Sequence, residues 1–174
     1  PIYLSEVDGK WLYYSARSYS SKLLNISDHW LPDEPTEFHN NDIFLGLDLA
    51  GGYVIKATQQ GLYEHLKNLG VHIAFVVYDL IPILFEQFYS SDDSNGHAQW
   101  LHSICQADTV VCISQAVSQD LQNWLQAHKP ERLPELNIRH FHLGADIEAS
   151  SPSVGFPEHG EQILEQLKAQ TSFL

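Results

Sequence analysis

The sequence contains no methionine, few basic residues and only two cysteines, and each shortage limits what the chain can be. Nine Lys and Arg residues against 22 Asp and Glu residues give a net charge of −13. No basic stripe is present to neutralise phosphates, which argues against a surface that binds nucleic acid or anionic lipid. Cys105 and Cys112 lie in apolar contexts without CxxC spacing, which favours reduced core residues in a cytosolic protein.

Several motifs that identify enzyme classes are also missing. The sequence has no GxGxxG, P-loop, HExxH or GxSxG, so dinucleotide binding, nucleotide hydrolysis, zinc-peptidase chemistry and serine-hydrolase chemistry lose their usual support. His140 and His142 form the best metal-like pair, because alternate residues of a strand share a face. A third ligand at a suitable spacing is lacking, so we expect no metal site. No apolar run is long enough to form a transmembrane helix.

The most informative stretch that is present runs from Val71 to Phe85. Its first seven residues are apolar without alternation, which predicts a strand buried on both faces of a parallel sheet. The run ends abruptly at Tyr78-Asp79. Ligands of open α/β sheets bind outside the carboxyl ends of the strands, so a carboxylate here is placed for binding or chemistry. Asp79 would serve equally well as a cap for the next helix, and the spacing leaves both roles open.

Strand-like and helix-like segments alternate from about residue 42 onward. We predict a hairpin of residues 2–7 and 10–15 around Asp8-Gly9, a loop with one short helix at 16–41, and a loop at 86–96. Further strands are predicted at 42–49, 108–113 and 137–143, and helices at 53–69, 97–107, from 115 onward and at 160–170. The pattern predicts a Rossmann-like α/β domain with a parallel sheet flanked by helices and right-handed crossovers. This domain spans residues 1–150, and residues 151–174 form a linker and a helix.

Polar residues follow four consecutive predicted strands. They are Asp48, Tyr78-Asp79, Ser114 and Gly144-Ala145-Asp146. Because parallel strands end at the same edge of a sheet, the topology predicts that these residues lie along one rim. Each also has a simpler local interpretation, with Ser114 as a helix N-cap and Asp48 as a turn residue.

Three segments resemble a large family of retaining glycosyltransferases. They are VVYDLIPILF, then the segment from Ala107-Asp108 through TVVCISQAVSQDL, and FHLGADI followed by Ser151-Pro152 and Gly155. The family is glycosyltransferase family 4, with the two-domain GT-B fold, and the sequence is most similar to its bacterial mannosyltransferase-like members. The resemblance covers about residues 42–157. It implies an amino-terminal domain truncated at both ends, without its first strand and helix and without the carboxy-terminal donor-binding domain.

The resemblance implies transfer of a hexose, such as mannose, from a nucleotide-sugar to a glycan or lipid-linked glycan acceptor. Asp79 is then the candidate catalytic residue, and Tyr78, Asp48, Ser114, Gly144 and Asp146 are candidate substrate-binding residues. Many members carry His-Asp at the position of Tyr78-Asp79, and a tyrosine keeps a hydroxyl without a positive charge near neutral pH.

The resemblance also implies no cofactor besides the nucleotide-sugar substrate. We expect a cytoplasmic enzyme of polysaccharide or lipopolysaccharide biosynthesis, associated with the inner face of the membrane through parts outside this sequence. The alternative is a non-catalytic carbohydrate-binding or scaffold domain of the same fold.

Overall fold

A computed structural model of the chain describes residues 1–26, 32–47, 51–128, 136–144 and 159–168. The chain forms two compact units, Pro1–Leu143 and Gly144–Leu174. In the second unit the described element is helix α7, Gly160–Lys168, close to the helix predicted there. The predicted linker at 151–157 lies outside the described residues, and the predicted domain boundary at residue 150 stays a prediction. The described residues include no helix with the length and apolar character needed to cross a membrane.

The first unit opens with the predicted hairpin. Strands β1, Ile2–Val7, and β2, Lys10–Ser15, pair antiparallel. Asp8 and Gly9 both have positive φ, at 52° and 75°, which gives the tight turn a twist that matches the strands. The hairpin is a separate two-stranded sheet rather than the edge of the parallel sheet. Helix α1, Arg17–Leu23, follows within the segment that was predicted to hold one short helix.

Four parallel strands form the main sheet of this unit, in the order in which they occur along the chain. They are β3, Ile43–Gly46, β4, His72–Val77, β5, Thr109–Cys112, and β6, Asn137–His140. The connections hold α2, Gly51–Gln59, α3, Leu62–Asn68, α4, Ile81–Leu84, α5, Ser91–Ile104, and α6, Gln115–His128. A single 3-10 turn, Glu86–Phe88, precedes α5. The predicted Rossmann-like α/β fold is thus confirmed, with strands β3 and β6 shorter than predicted.

Two helix predictions were wrong. The helix predicted at residues 53–69 is broken into α2 and α3 at Gly61, whose φ of 75° is incompatible with a continuous helix. Residues 91–96, predicted as loop, form the first turns of α5. Ser90 caps this helix by accepting a hydrogen bond of 3.1 Å from the Asp93 amide, and the acidic residues that follow favour a helix N-terminus.

The two faces of the sheet differ in how fully they are covered. One face carries core residues that pack together with the helices: Phe44, Ile73, Phe75, Val77, Val110 and Cys112. On the other face, Ala74 and Val76 of β4 are each 7% exposed, so the prediction that β4 is buried on both faces is confirmed. The prediction of a fully buried strand was wrong for β3, where Ile43 is 73% and Leu45 50% exposed. Strand β3 is the edge strand of the described sheet and has a neighbouring strand, β4, on one side only. Fewer residues therefore lie close enough to cover its second face.

Candidate functional site

The candidate site lies at the carboxyl edge of the parallel sheet, where β4 and β5 end together. Val77 and Cys112, the last residues of these strands, are paired in register. Tyr78-Asp79 and Ser114 therefore leave neighbouring strands at the same end of the sheet, as the topology predicted. Their roles in binding or chemistry stay predictions.

Asp79 has a local structural role. Its Oδ1 atom accepts a hydrogen bond of 2.9 Å from the Ile81 amide, at the start of the short helix α4. Of the two roles left open by the sequence, the local one is thus present. A carboxylate has two oxygens with several acceptor positions, so this single hydrogen bond leaves acceptor capacity for a ligand hydroxyl.

Ser114 also matches its local interpretation. Its Oγ atom accepts a hydrogen bond of 3.2 Å from the Val117 amide, which makes it the N-cap of α6. Tyr78, beside Asp79, is 41% exposed at the same edge. Gly144 is exposed and belongs to the second unit, whereas Asp48 and Asp146 lie outside the described residues. A site shared by all six predicted residues therefore stays a prediction.

His97 is a site residue that the sequence analysis missed. Helix α5 holds it 9% exposed, with Nε2 3.2 Å from the backbone carbonyl oxygen of Asp79. A carbonyl can only accept, so Nε2 carries the proton and Nδ1 keeps a lone pair. Burial lowers the pKa of His97, although the Asp79 carbonyl opposes that shift, so the ring is neutral near pH 7. The signal that could have found it is the i, i+3 spacing of Ser94, His97 and Trp100 on the apolar face of α5.

His97 and its neighbours hold the segment after β4 in place. Ser94 Oγ donates a hydrogen bond of 2.7 Å to the carbonyl of Pro82. Pro82 lies four residues after Tyr78, where the chain leaves the sheet. The His97 ring also packs against Trp100, with centroids 5.2 Å apart. Helix α5 therefore fixes both ends of the segment from Asp79 to Pro82.

A cavity of about 500 Å³ adjoins this edge, between the start of α2 and one face of α5. We call it the α2–α5 cavity, and its lining includes Gly52, Tyr89, Asp93, Gly96, His97 and Trp100. A second cavity, of about 470 Å³, lies near the end of α6 and is lined by residues that include Glu86, Asn95, Trp124 and His128. The α2–α5 cavity is in direct contact with the segment from Asp79 to Pro82, because Pro82 itself belongs to its wall together with His97.

The metal-like pair found in the sequence gains no third ligand from the part of the chain that the structure describes. His140 and His142 lie with ring centroids 6.0 Å apart. Within residues 1–26, 32–47, 51–128, 136–144 and 159–168, no group of three His, Cys, Asp or Glu side chains could hold a metal ion. The two cysteines are buried, and burial raises the pKa of the Cys112 thiol to about 11, which makes it a poor nucleophile near neutral pH.

Three curated relatives carry the name serotype-specific mannosyltransferase WbdA, all from Escherichia coli. One is 29% identical to the chain over 165 residues, which covers 93% of this chain and 20% of the relative. The others are 28% identical over 145 residues, covering 82% of this chain and 18% or 17% of the relative. No protein-family model matches the chain, and no solved structure matches it.

The chain spans about a fifth of the length of these curated relatives. It is homologous to mannosyltransferases of this kind over most of its own length. The predicted resemblance to bacterial mannosyltransferase-like glycosyltransferases is thereby confirmed.

Proposed function

We propose that the chain is the acceptor-side domain of a retaining glycosyltransferase with the GT-B fold. The reaction transfers a hexose, mannose in the first instance, from a nucleotide-sugar to a glycan or lipid-linked glycan. The observation that carries this proposal is the similarity to the WbdA mannosyltransferases over 93% of the chain. The carboxyl edge of the sheet supports it, since open α/β sheets bind their ligands there.

In this proposal the residues at the carboxyl edge act on the sugar hydroxyls. The Asp79 carboxylate accepts a hydrogen bond from a hydroxyl, and the Tyr78 hydroxyl can donate or accept one. Oriented hydrogen bonds to groups that gain charge in the transition state account for much of the catalysis in such sites. Ser114, Asp48, Gly144 and Asp146 complete the proposed substrate contacts.

In this proposal the donor nucleotide-sugar is bound mainly by a separate donor-binding domain. The proposal needs no cofactor besides that substrate. It places the reaction in the cytoplasm, on polysaccharide or lipopolysaccharide, with membrane association through other segments.

The test is a transfer assay on the natural polypeptide that carries this sequence. It is incubated with a nucleoside diphosphate-mannose and a mannosylated acceptor, and the anomeric configuration of the product is read by NMR. We expect transfer with retention of configuration. A product with inverted anomeric configuration would contradict the proposed reaction. The absence of hexose transfer from every nucleotide-sugar tested would contradict it as well.

A second candidate function is a non-catalytic carbohydrate-binding domain. It is favoured by the local hydrogen bonds of Asp79 and Ser114, which both serve helix starts. The tyrosine at position 78, where many similar enzymes carry histidine, points the same way. Sugar binding by the natural polypeptide without any transfer would support this candidate over the first.

A further inference from the structure

Two buried side chains in the wall of the α2–α5 cavity, His97 and Trp100, each have a hydrogen-bonding atom that pairs with no described group. Nε2 of His97 faces the Asp79 carbonyl, and among the described residues no group hydrogen-bonds its Nδ1. His97 is 9% exposed and forms part of the cavity wall. Since the ring is neutral, its Nδ1 lone pair can accept a hydrogen bond from a hydroxyl of a bound molecule.

The other lining groups also suit a molecule rich in hydroxyls. The Asp93 carboxylate uses Oδ2 to accept a hydrogen bond of 2.7 Å from Ser90, which leaves its second oxygen as an acceptor. Tyr89 adds a phenol that is partly exposed, while Trp100 and Ile55 supply apolar surface. Apolar walls with a few oriented polar groups are the usual composition of a small-molecule site, and 500 Å³ falls within the roughly 300–1,000 Å³ of such sites.

The charged side chain of the cavity disfavours one class of ligand. Its lining contains the carboxylate of Asp93 and no Lys or Arg among the described residues. The Asp93 carboxylate disfavours a diphosphate there, although the N-terminus of α2 at Gly51 and Gly52 also lines the cavity and favours anions. A neutral ligand meets no such penalty.

We propose that the α2–α5 cavity binds a neutral hexose unit of the glycan acceptor, with Nδ1 of His97 and the Asp93 carboxylate accepting hydrogen bonds from its hydroxyls. The assignment to the acceptor rests on the proposed function, whereas the binding of a neutral sugar rests on the cavity itself. The hydrogen bond from His97 Nε2 to the Asp79 backbone carbonyl then joins this subsite to the candidate catalytic residue.

The test uses a variant that fills the cavity without removing a contact. Gly96 lines the cavity in the middle of α5, and a Cβ atom added there meets nothing within 4 Å. Gly96→Leu should therefore fold, and replacing a helical glycine favours the helix. Gly52→Leu is a second blocking variant, since Gly52 also lines the cavity and has open space. Gln99→Leu, on the exposed side of the same helix, is the matched control.

Binding is measured on the whole 174-residue chain by NMR titration with methyl α-mannopyranoside and an α-linked mannobiose. We expect saturable shifts of the His97 ring signals in the unmodified chain and in Gln99→Leu. Both glycine variants should lose at least tenfold in affinity while keeping their melting temperatures. Absence of saturable shifts, or equal affinity in the glycine variants, would overturn the proposed subsite.

Competition separates the two sources of a hexose. A nucleoside diphosphate-mannose and inorganic pyrophosphate are added to the chain that already holds the mannoside. We expect neither to displace it, and displacement by either would assign the cavity to the donor and overturn the acceptor subsite. Mannoside binding that the glycine variants abolish, together with no transfer by the natural polypeptide, would keep the subsite and reject the proposed reaction.

Discussion

The two ends of the parallel sheet differ in how their polar side chains are paired. Pairs join different strands at the amino end, whereas the carboxyl end has local hydrogen bonds and a His97 ring nitrogen without a described partner. At the amino end, Asp108 Oδ2 accepts a hydrogen bond of 2.8 Å from the Ile73 amide, and its Oδ1 lies 3.4 Å from Lys67 Nζ. His72 and Thr109, on neighbouring strands, are joined by a hydrogen bond of 3.0 Å. At the carboxyl end, His97 Nδ1 has no described partner, and Tyr78 is 41% exposed beside a cavity.

This difference separates groups that stabilise the sheet from groups that remain available to a ligand. Polar atoms that pair with each other across strands hold the strands in register. Removing such a pair should therefore lower the free energy of unfolding. Buried polar atoms that lack a partner cost stability in the folded protein, whereas an exposed group such as the Tyr78 hydroxyl is hydrated and can exchange water for a ligand. Substitutions at the two ends should therefore have different consequences, and the tests below run from the largest expected effect to the smallest.

Asp79→Asn at the carboxyl end should have the largest effect. Asparagine keeps the shape and can still accept the hydrogen bond from the Ile81 amide, but it removes the charge. In the natural polypeptide we expect turnover to fall by about 10²–10⁴-fold, typical of a positioned polar group, with an unchanged melting temperature. Asp92→Asn, an exposed acid in the first turn of α5, is the matched control. Turnover that survives in Asp79→Asn would leave Asp79 as a capping residue only.

Asp108→Ala at the amino end should reduce stability and leave sugar binding intact. It removes the acceptor of the Ile73 amide and the partner of Lys67, which should cost about 2–3 kcal/mol in the free energy of unfolding. Asp108→Asn keeps an acceptor and loses only a partly exposed ion pair, so we expect a loss of about 0–1 kcal/mol. Urea unfolding measures both. Weakened mannoside binding in either variant, with the fold retained, would contradict the division between the two ends.

Tyr63→Phe tests a polar pair that belongs to neither end. The hydroxyls of Tyr13 and Tyr63 are 2.8 Å apart in the core and join the hairpin to α3. Burial raises the pKa of both, that of Tyr13 to about 12, so the pair is neutral at physiological pH. The single variant leaves the Tyr13 hydroxyl buried without a partner, which should cost about 1–2 kcal/mol in the free energy of unfolding.

The control for this pair is the double variant with Phe at positions 13 and 63. It removes both hydroxyls and should be less destabilised than the sum of the two single variants. Additive losses would show that the hydrogen bond contributes little.

The smallest expected effect is a pH dependence from His97. Its pKa is lowered by burial, so the unfolded chain binds a proton at a higher pH than the folded chain does. The contribution of His97 to stability is therefore full above its unfolded pKa of about 6.5 and is lost as the pH falls through the folded pKa. His97→Gln removes the titrating group, so unfolding free energies at about pH 7.5 and about pH 5.5 should differ less in the variant than in the unmodified chain. An equal loss in both proteins would mean that His97 is not buried as neutral imidazole.

Several features were fixed by short stretches of sequence. Asp8-Gly9 set the hairpin, the apolar run before Tyr78 set the most buried strand, and Ser114 set the start of α6. Each depends on residues close together in the chain, because turns, caps and strand periodicity are local properties. The order of strands and helices then set the parallel sheet, and with it the shared edge of Asp79 and Ser114.

Tertiary structure alone decided the features of the candidate site that depend on distant contacts. The start of α5 is an exception, because the Ser90 cap and the acidic residues after it are local signals that the loop prediction overlooked. Whether Ile43 and Leu45 are buried depends on what lies beside β3, which the apolar pattern of that strand does not contain. The partner of His97 lies 18 residues away along the chain, and the cavity exists because α2 and α5 pack side by side at one end of the sheet. Local patterns specify which elements form, whereas a cavity and a lone pair without a partner arise only from how those elements pack.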